Sequence, residues 1–450
     1  MKVVLVYPRW DYPIMGELQE PLGIMSIGAA LSAAGHDVEL VDLAVSGIEE
    51  LDRLIEDADM AGMSSSTALY GRACRVLDRI REQRPEVPVI IGGPHATVLP
   101  EEVIARGFDA AVIGEGEATA VEIAEAILSG RPLYTVAGLV GRDCEKIMTG
   151  PKRPFLKDMD GLPDPDRDLA DYEGYFQKGL SQVGIMASRG CPYNCLFCKP
   201  MQDKLFGRKI RRRPVKNIVA EMERCVAKLG NRRFLFRDDT MALAGMDWFV
   251  EFRSAIESSS LTDPGWSCQA RVDQVSAPLI EQMKKCGLQG MAFGVESGSQ
   301  KILDYYRKGI KVRQTVEAFE ICHRLGIGTH AFIMLGAPEE TAEDLDKTVE
   351  LVRDIRPESV SVSITTPAPG TDLYYRVREE GICNMSGPEE SDYYFNERPI
   401  NLKYLSTLEL ADAARSILEA VPGASSKEQL ERIKCMTGKE DLRTQSLLTN

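Results

Sequence analysis

Residues 182–200 read QVGIMASRGCPYNCLFCKP, a short apolar run followed by three cysteines within eight residues. The run predicts a buried strand, and Cys191, Cys195 and Cys198 follow it in a single loop. Soft thiolate ligands select zinc or an iron-sulfur cluster. A structural zinc site needs four ligands, and no histidine or fourth cysteine lies nearby in the sequence. The spacing therefore favours a cluster that has three protein ligands and one iron open to a small molecule.

A series of strand candidates continues from this loop, with helical stretches such as KNIVAEMERCVAKLG and TAEDLDKTVELVRDI between them. The strand candidates are QVGIMAS, RRFLFRDD, GWSCQARVD, GMAFGVES, GTHAFIMLGAP and ESVSVSI. Six strand-helix units predict a partial (β/α)6 barrel of parallel strands. In such barrels the reactive groups lie at the carboxyl ends of the strands, which is where the cysteine loop stands.

The N-terminal part of the chain shows a separate alternation of strands and helices. Its strand candidates are KVVLVY, DVEL, ADMAGM, VPVIIGG and DAAVIGEGE. Short apolar runs separated by amphipathic helices predict an α/β domain with a parallel sheet, Rossmann-like or flavodoxin-like. Sheets of this kind bind ligands beyond the carboxyl ends of their strands.

The remaining segments have less periodicity. Residues 131–150 predict a hairpin with a turn near residues 141–143, and the following segment, rich in proline and aspartate, predicts a linker. The tail is polar with one amphipathic helix, TLELADAARSILEAV, so we expect it to be small and mainly helical. The predicted boundaries are an N-terminal domain at 1–135, hairpin and linker at 136–180, the barrel at 181–380 and the tail at 381–450.

Composition excludes several classes of protein. Of the 450 residues, 44% are hydrophobic and 27% charged, and the net charge of -14 argues against a nucleic-acid partner. The start, MKVVLVYPRW, predicts a strand and not a signal peptide, and no membrane span is evident, so we expect a cytoplasmic protein. Its cysteines should then be reduced. The eight outside the loop are interpreted as small core hydrophobes: Cys74, Cys144, Cys225, Cys268, Cys286, Cys322, Cys383 and Cys435.

The loop CPYNCLFC resembles the CxxxCxxC loop of radical S-adenosylmethionine (SAM) enzymes. The resemblance implies that the three cysteines hold a 4Fe-4S cluster whose fourth iron is chelated by SAM. Residues 180–370 are similar to the radical SAM core, with GVESGSQKIL and FIMLGAPEET as later motifs. Residues 1–130 look like an N-terminal cobalamin-binding domain, through EPLGIMSIGAALSAAGHDVELVD, IIGGPHATVLPEE and VIGEGE.

The resemblance also implies roles for residues near the cluster. Phe197 would lie beside the adenine of SAM, although an aromatic residue there is equally consistent with packing. Asp238 and Asp239 end the second barrel strand, where many members of the family bind the SAM amino group. This sequence has Arg-Asp-Asp in place of Gly-Gly-Glu, so the contact falls to either carboxylate or to backbone carbonyls, or the acids simply cap the next helix.

Other polar residues stand at or within later strands. Arg271 ends the third strand and suits a carboxylate, while Glu296 ends the fourth and resembles the position that contacts the ribose or amino group of SAM. Surface ion pairs are the alternative for both. His330 is a candidate acid-base or substrate contact, or a core histidine with its hydrogen bonds satisfied. The basic run GRKIRRRPVKN is interpreted as a solvated loop.

In the N-terminal domain, Gly92 and Gly93 allow close approach of a large ligand, and Ser64, Ser65 and Thr67 can donate hydrogen bonds. The resemblance makes these cobalamin contacts. The DxHxxG motif that supplies an axial histidine in some cobalamin proteins is absent, and RWDYPIMGE contains no histidine. We therefore expect cobalamin to bind without a protein imidazole. The alternative is a vestigial domain that keeps the fold without the vitamin.

By resemblance, the predicted activity is reductive cleavage of SAM to a 5'-deoxyadenosyl radical, hydrogen abstraction from a small-molecule substrate, and cobalamin-dependent C-methylation. A flavodoxin or ferredoxin would supply the electron. The alternatives are radical dehydration, rearrangement or oxidative cyclisation, similar to aminoglycoside dehydratases or anaerobic porphyrin cyclases. A non-catalytic iron-sulfur or cobalamin sensor is a further class, but the sequence contains no evident output module.

Overall fold

The computed structural model describes residues 1–9, 18–144, 146–384, 400–421, 423 and 429–430. Three subjects of the sequence analysis lie outside these ranges: most of the segment RWDYPIMGE, Cys435, and much of the tail at 381–450. Across the part of the chain that is described, no helix combines the length and the apolar character needed to cross a membrane.

The first sheet occupies the N-terminal third of the chain. Its described strands are β1 (Lys2–Tyr7), β2 (Asp37–Asp42), β3 (Met60–Ser64), β4 (Val89–Gly92), β5 (Ala110–Val112), β6 (Leu139–Asp143) and β7 (Lys146–Thr149). Their order is β2-β1-β3-β4-β5-β6-β7, with β1 to β5 parallel and β6 and β7 antiparallel. The parallel part has the strand order of flavodoxin, which confirms the predicted α/β class.

Helices cover both faces of this sheet. They are α1 (Leu22–Ala33), α2 (Ile48–Ile55), α3 (Thr67–Gln83), α4 (Pro94–Val98), α5 (Pro100–Arg106) and α6 (Glu117–Ser129). Because side chains alternate along a strand, Val4 and Val6 of β1 pack with α2 and α3, while Val3 and Leu5 pack with α1 and α6. Two cores therefore hold one sheet between two layers of helices.

The hairpin is present, but its turn lies later than predicted. Strand β6 runs through residues 141–143 and the turn begins at Cys144, whose φ is 53°. Asp143 pairs directly with Lys146, so a tight turn closes the hairpin. The residues before β6 do not form a strand, because Leu133–Thr135 is a short 3-10 turn. The prediction extended the strand too far towards the N-terminus and ended it too early.

The predicted linker is a packed joint. Tyr175, in the short helix α7 (Tyr172–Gln177), is buried. Arg167 binds Glu20 at 3.1 Å and Glu221 at 2.6 Å, and all three side chains are largely shielded from solvent. The composition of the linker correctly predicted an irregular segment. Composition carries no information, however, on contacts with residues far away in the sequence.

The second half of the chain contains the predicted barrel. Its strands are β8 (Val183–Ile185), β9 (Ser188–Arg189), β10 (Arg211–Arg212), β11 (Arg233–Phe236), β12 (Gly265–Ala270), β13 (Leu288–Glu296), β14 (Gly328–Leu335) and β15 (Ser359–Ile364). Its helices are α8 (Met201–Phe206), α9 (Val215–Leu229), α10 (Gly245–Glu257), α11 (Ala277–Lys285), α12 (Gln300–Tyr305), α13 (Val312–Leu325), α14 (Ala342–Ile355), α15 (Asp372–Glu379) and α16 (Thr407–Ala420).

Six parallel strands of the described chain form this second sheet, in the order β15-β14-β13-β12-β11-β8. Strands β8 and β15 are its two edges, so the barrel is partial, as predicted. The outward faces pack on the helices, with Trp266 of β12 stacked on Phe249 of α10. Helix α16, from the tail, packs its Ile417 and Leu418 into the same core. The short strands β9 and β10 form an antiparallel ribbon beside the cysteine loop.

A buried charge cluster joins the ribbon to the first sheet. Arg189 binds Glu115 at 3.0 Å and also pairs with Glu117, and Arg211 binds Glu115 at 2.8 Å. Arg213, from the same basic run, pairs with Glu221 at 2.6 Å. All these side chains are nearly inaccessible to solvent. The prediction of a solvated basic loop holds for Arg208 and Lys209, which are exposed, but is wrong for Arg211 and Arg213, which balance carboxylates of distant elements.

Candidate active site

The carboxyl ends of the two sheets open on a shared cavity of about 320 Å³. Tyr7 of β1 and Ser64 of β3 line it from the first sheet. Arg237 and Asp239, which follow β11, line it from the second. Open parallel sheets bind ligands at the carboxyl ends of their strands, and so do barrels of parallel strands. The fold therefore directs two ligand-binding edges at one space.

The cysteine loop follows strand β9 at the carboxyl end of the barrel. Gly190 begins it with φ of 97°, and a Cβ there would lie 2.5 Å from the Lys209 carbonyl oxygen, so glycine is required. The Leu196 N–H donates to the Tyr306 carbonyl at 2.8 Å, which fixes the loop to the turn after α12. Cys195 is buried, whereas Cys191 and Cys198 are half-buried.

The pKa values of two of the loop thiols are raised. Burial raises the pKa of Cys191 and raises that of Cys198 to about 12, and the Asp239 carboxylate acts in the same direction. A cluster held by these cysteines would replace the thiol protons with iron and supply the positive charge that buried thiolates need. Within the described ranges, no three His, Cys, Asp or Glu side chains are arranged to hold a metal ion. A four-iron cluster binds each thiolate through a different iron, so its ligands need not converge on one point.

The two aspartates after β11 have different surroundings. Asp238 is 1% exposed and accepts hydrogen bonds from the Ala187 N–H at 3.1 Å and from the Ser188 hydroxyl. Burial raises its pKa to about 6. Asp239 faces the shared cavity and accepts a hydrogen bond from Gln202. Asp238 thus holds the ribbon, and Asp239 is the carboxylate in a position to meet a ligand.

Glu296 and Phe197 lie near each other on the far side of the loop. Glu296 has φ of 64° and forms a buried ion pair with Lys308 at 2.6 Å. The Lys308 ammonium also lies 5.7 Å from the Phe197 ring centroid, and that ring packs edge-on against Tyr306 at 5.4 Å. Glu296 is therefore in an ion pair, but a buried one. Contact of either residue with SAM stays a prediction.

Arg271 is already surrounded by partners. Its Nε and Nη2 bind both Asp273 oxygens at 3.0 Å, and Nη2 also donates to the Lys308 carbonyl at 2.6 Å. Its Nη1 donates to the Cys195 sulfur at 3.8 Å, and the guanidinium lies 3.7 Å from the Tyr193 ring centroid. A guanidinium has five N–H donors, so one remains free. The fork that the sequence predicted to bind a carboxylate is occupied by Asp273, and a contact of Arg271 with SAM stays a prediction.

His330 has the surroundings of a core histidine, which is the alternative that the sequence left open. Its Nδ1 lies 2.7 Å from the Ser359 hydroxyl, and its ring packs against Phe332. Burial lowers its pKa to about 4, so it is neutral near pH 7. It stands five residues before Leu335, the end of β14, which is about 16 Å along a strand. These contacts are those of a core histidine away from the carboxyl edge, and a catalytic role of His330 stays a prediction.

A second cavity of about 260 Å³ lies over the carboxyl edge of the first sheet. Ser64, Gly92 and Gly93 line it as predicted, between apolar side chains of α1 and α6. Gly93 has φ of 92°, and a Cβ there would lie 2.8 Å from the Ser65 carbonyl oxygen. This largely apolar cavity suits a bulky ligand. It adjoins the shared cavity, because Ser64 lines both.

Two predicted cobalamin contacts point elsewhere. The Ser65 hydroxyl donates to the Ser66 carbonyl at 2.7 Å, and the Thr67 hydroxyl lies 3.3 Å from His95 Nδ1. Neither residue lines the cavity. His95 itself is fully buried and stacks on Tyr70 at 3.8 Å. The side chains of Ser65 and Thr67 bind neighbouring protein groups instead, and their direct contact with cobalamin stays a prediction.

The chain has four histidines, and the structure describes all of them. None lines either cavity. We therefore expect added hydroxocobalamin to bind without a protein nitrogen on cobalt, and H95A to leave its absorption and electron paramagnetic resonance spectra unchanged. The comparison is made on the folded fraction, since His95 is buried. A nitrogen superhyperfine signal on cob(II)alamin that disappears in H95A would contradict this prediction.

Several residues of the site were not anticipated. Tyr193 lies inside the cysteine loop, where its hydroxyl accepts from Gln274 at 2.7 Å. Lys308 neutralises Glu296, and Glu115 anchors the ribbon. The motif VIGEGE, which resembles that of cobalamin-binding domains, contains Glu115 and Glu117. Two carboxylates directly after a buried strand are a signal for charged partners at the same sheet edge.

Comparison with known proteins matches two stretches of the chain to family models. The B12 binding domain model matches residues 15–124 and the Radical SAM superfamily model matches residues 185–352. The first match covers strands β2 to β5 of the first sheet but not β1, which precedes it, and the second covers the barrel from the end of β8 into α14. The cysteine loop lies within the second match.

Individual relatives align along most of the chain. An uncharacterized methyltransferase of Pyrococcus horikoshii, PH0819, is 30% identical over 397 residues, covering 86% of this chain and 85% of that protein. The anaerobic magnesium-protoporphyrin IX monomethyl ester cyclase of Cereibacter sphaeroides is 28% identical, covering 84% and 64%. The radical SAM methyltransferase TsrM of Kitasatospora setae, solved with cobalamin and a 4Fe-4S cluster, gives a TM-score of 0.73 at 18% identity, covering 94% and 91%. At that identity the likeness concerns the fold.

Proposed function

This chain belongs to the radical SAM enzymes that carry an N-terminal B12-binding domain, and we propose that it transfers a methyl group to a carbon atom of a small-molecule substrate. The 4Fe-4S cluster with SAM supplies a radical that removes a hydrogen atom, and cobalamin supplies a transferable methyl group. Methyl transfer requires both groups to reach one substrate atom.

The observation that supports this proposal is the cavity shared by the two carboxyl edges. Ser64 of the first sheet and Asp239 of the second line the same space, and Asp239 acts electrostatically on Cys198. A substrate in that space would lie next to the cavity of the first sheet and next to Asp239. Leu205 and Phe206 of α8 line the second cavity, where these apolar side chains would help to exclude water.

The residues near the cysteine loop would divide the remaining tasks. Cys191, Cys195 and Cys198 hold the cluster, and Asp239 is placed to accept hydrogen bonds from the SAM amino group. Glu296 has one oxygen beyond its bond to Lys308 that a ribose hydroxyl could reach. Pro192 and Asn194 are exposed, so an electron carrier such as flavodoxin or ferredoxin would approach the cluster from this side of the loop.

A second candidate is radical cyclisation without methyl transfer, because a relative of 28% identity is a magnesium-protoporphyrin ester cyclase. The described residues of the two cavities are compatible with either reaction. The distinction therefore depends on whether cobalamin receives a methyl group from SAM, which is a measurable property of the loaded enzyme.

We expect the reduced enzyme, loaded with cobalamin and its cluster, to convert SAM to S-adenosylhomocysteine in an amount comparable to its bound cobalamin. Turnover with substrate should then yield S-adenosylhomocysteine and 5'-deoxyadenosine in comparable amounts. SAM with a deuterated methyl group and mass spectrometry of a substrate panel follow the label into product. Enzyme without cobalamin is the control and should form no S-adenosylhomocysteine. If the loaded enzyme forms 5'-deoxyadenosine alone, methyl transfer must be abandoned in favour of cyclisation or dehydration.

A further inference from the structure

Arg271 connects the third barrel strand to the cysteine loop. It stands directly after β12, is 6% exposed, and spans three segments of the chain through Asp273, Lys308 and Cys195. The Tyr193 ring covers one face of the guanidinium at 3.7 Å. The Gln274 amide in turn fixes the Tyr193 hydroxyl at 2.7 Å. Packing and hydrogen bonds therefore set the orientation of this guanidinium before any ligand binds.

The guanidinium has a defined polarity towards the loop. Its Nε and Nη2 edge faces the Asp273 carboxylate, while Nη1 points away from that carboxylate to the Cys195 sulfur. The positive end of the pair is thus nearer the sulfur than the negative end is. A fixed N–H donor and a partial positive charge stabilise a thiolate.

We propose that Arg271 is a positioning residue that holds Cys195 in place and raises the reduction potential of the cluster. The inference rests on the proposed assignment of Cys195 as a cluster ligand. Cluster potentials depend on net charge, on hydrogen bonds to the sulfurs and on solvent exposure. Reduction adds negative charge to the cluster, so a positive group hydrogen-bonded to a ligand sulfur favours the reduced state. This role needs no SAM, unlike the carboxylate contact that strand position suggested.

The test is a redox titration of the cluster-loaded, SAM-free enzyme, followed by electron paramagnetic resonance. The main variant is R271M/D273N, because removing both partners leaves no buried unpaired carboxylate. We expect about tenfold less reduced relative to oxidised cluster at a fixed applied potential, which for one electron is a midpoint about 59 mV more negative. R271K retains the charge without the fork and should lie between this variant and the wild type.

R307M is the matched control. Arg307 lies beside Lys308 and pairs with Asp372 at 2.5 Å, but it is 46% exposed and solvent screens its charge. We expect its midpoint to equal that of the wild type. An R271M/D273N variant that is folded by circular dichroism but fails to bind iron would support the positioning role. If R271M/D273N does not fold, the midpoint potential of R271K becomes the test of the inference.

A midpoint equal to that of the wild type in R271M/D273N would overturn the inference. If R271M/D273N does not fold, the same result in R271K would overturn it. Weaker SAM binding together with an unchanged midpoint would assign Arg271 to SAM binding. The iron content of C195A separates this failure from a failure of the proposed function. If C195A keeps a normal four-iron cluster, the ligand assignment is wrong and the inference fails with it. If C195A loses the cluster while the Arg271 variants keep the wild-type midpoint, only the role of Arg271 is rejected.

Discussion

Replacing Cys191, Cys195 and Cys198 together by alanine is expected to abolish cluster binding and SAM cleavage completely. The three thiols are grouped on one loop at the carboxyl end of the barrel, which backbone contacts hold to the turn after α12. Without thiolates no residual site can take over, because the other described cysteines are distributed through the two cores and the surface. Iron and sulfide analysis after anaerobic reconstitution, together with 5'-deoxyadenosine formation, measures both losses.

The control for this experiment is C144A/C383A. Cys144 is exposed on the hairpin turn and Cys383 is half-buried near α15, so both are accessible to added iron without belonging to the loop. This variant should bind as much iron as the wild type and cleave SAM at the same rate. A normal four-iron cluster in the triple variant would show that the cluster ligands lie elsewhere.

The cysteine loop could be predicted because all the information it carries is local. Three cysteines, the strand before them and the helix after them lie within one short stretch, and the sheet that positions them follows from alternation along the chain. The same reasoning located the carboxyl edge of the first sheet, with Ser64, Gly92 and Gly93 on it. Strand periodicity determines which end of a strand a residue occupies.

Side-chain direction after a strand could not be predicted in the same way. Ser65 and Thr67 follow Ser64 directly, yet the turn into α3 directs them at a backbone carbonyl and at His95. His330 was predicted from its chemistry, although its place early in β14 argued for distance from the edge. The sequence itself indicated this distance, because His330 is the third residue of a long strand and therefore lies far from its carboxyl end.

Buried ion pairs were invisible for a different reason. Glu115 lies 96 residues before Arg211, and neither local charge pattern indicates the other. A run of arginines therefore resembled a solvated loop. By contrast, Arg271 and Asp273 are only two residues apart, so their pairing is a local feature that the sequence itself contains. Distance along the chain, more than residue type, separates what was predicted from what was missed.

E115Q is expected to lower the free energy of unfolding by about 3 to 5 kcal/mol, the usual cost of leaving a buried charge without its partner. Glu115 binds Arg189 at 3.0 Å and Arg211 at 2.8 Å, with side chains only about 5% exposed. Glu117 still neutralises Arg189 in the variant, but Arg211 would lose its carboxylate and keep only neutral acceptors, namely the carbonyls of Leu156 and Phe206 and the glutamine oxygen. Glutamine preserves the shape of the side chain, so the loss measures charge and not volume.

The measurement is denaturant unfolding of the apoprotein, which removes any contribution of cofactor binding. E50Q makes the same chemical change in the exposed pair of Glu50 with Arg53 and should leave the unfolding curve unchanged. Because the charges of Glu115 and Arg211 come from the first sheet and from the ribbon before the barrel, E115Q should also separate the unfolding of the two sheets into distinct transitions. An E115Q curve that coincides with that of E50Q would show that the buried charge cluster does not hold the two sheets together.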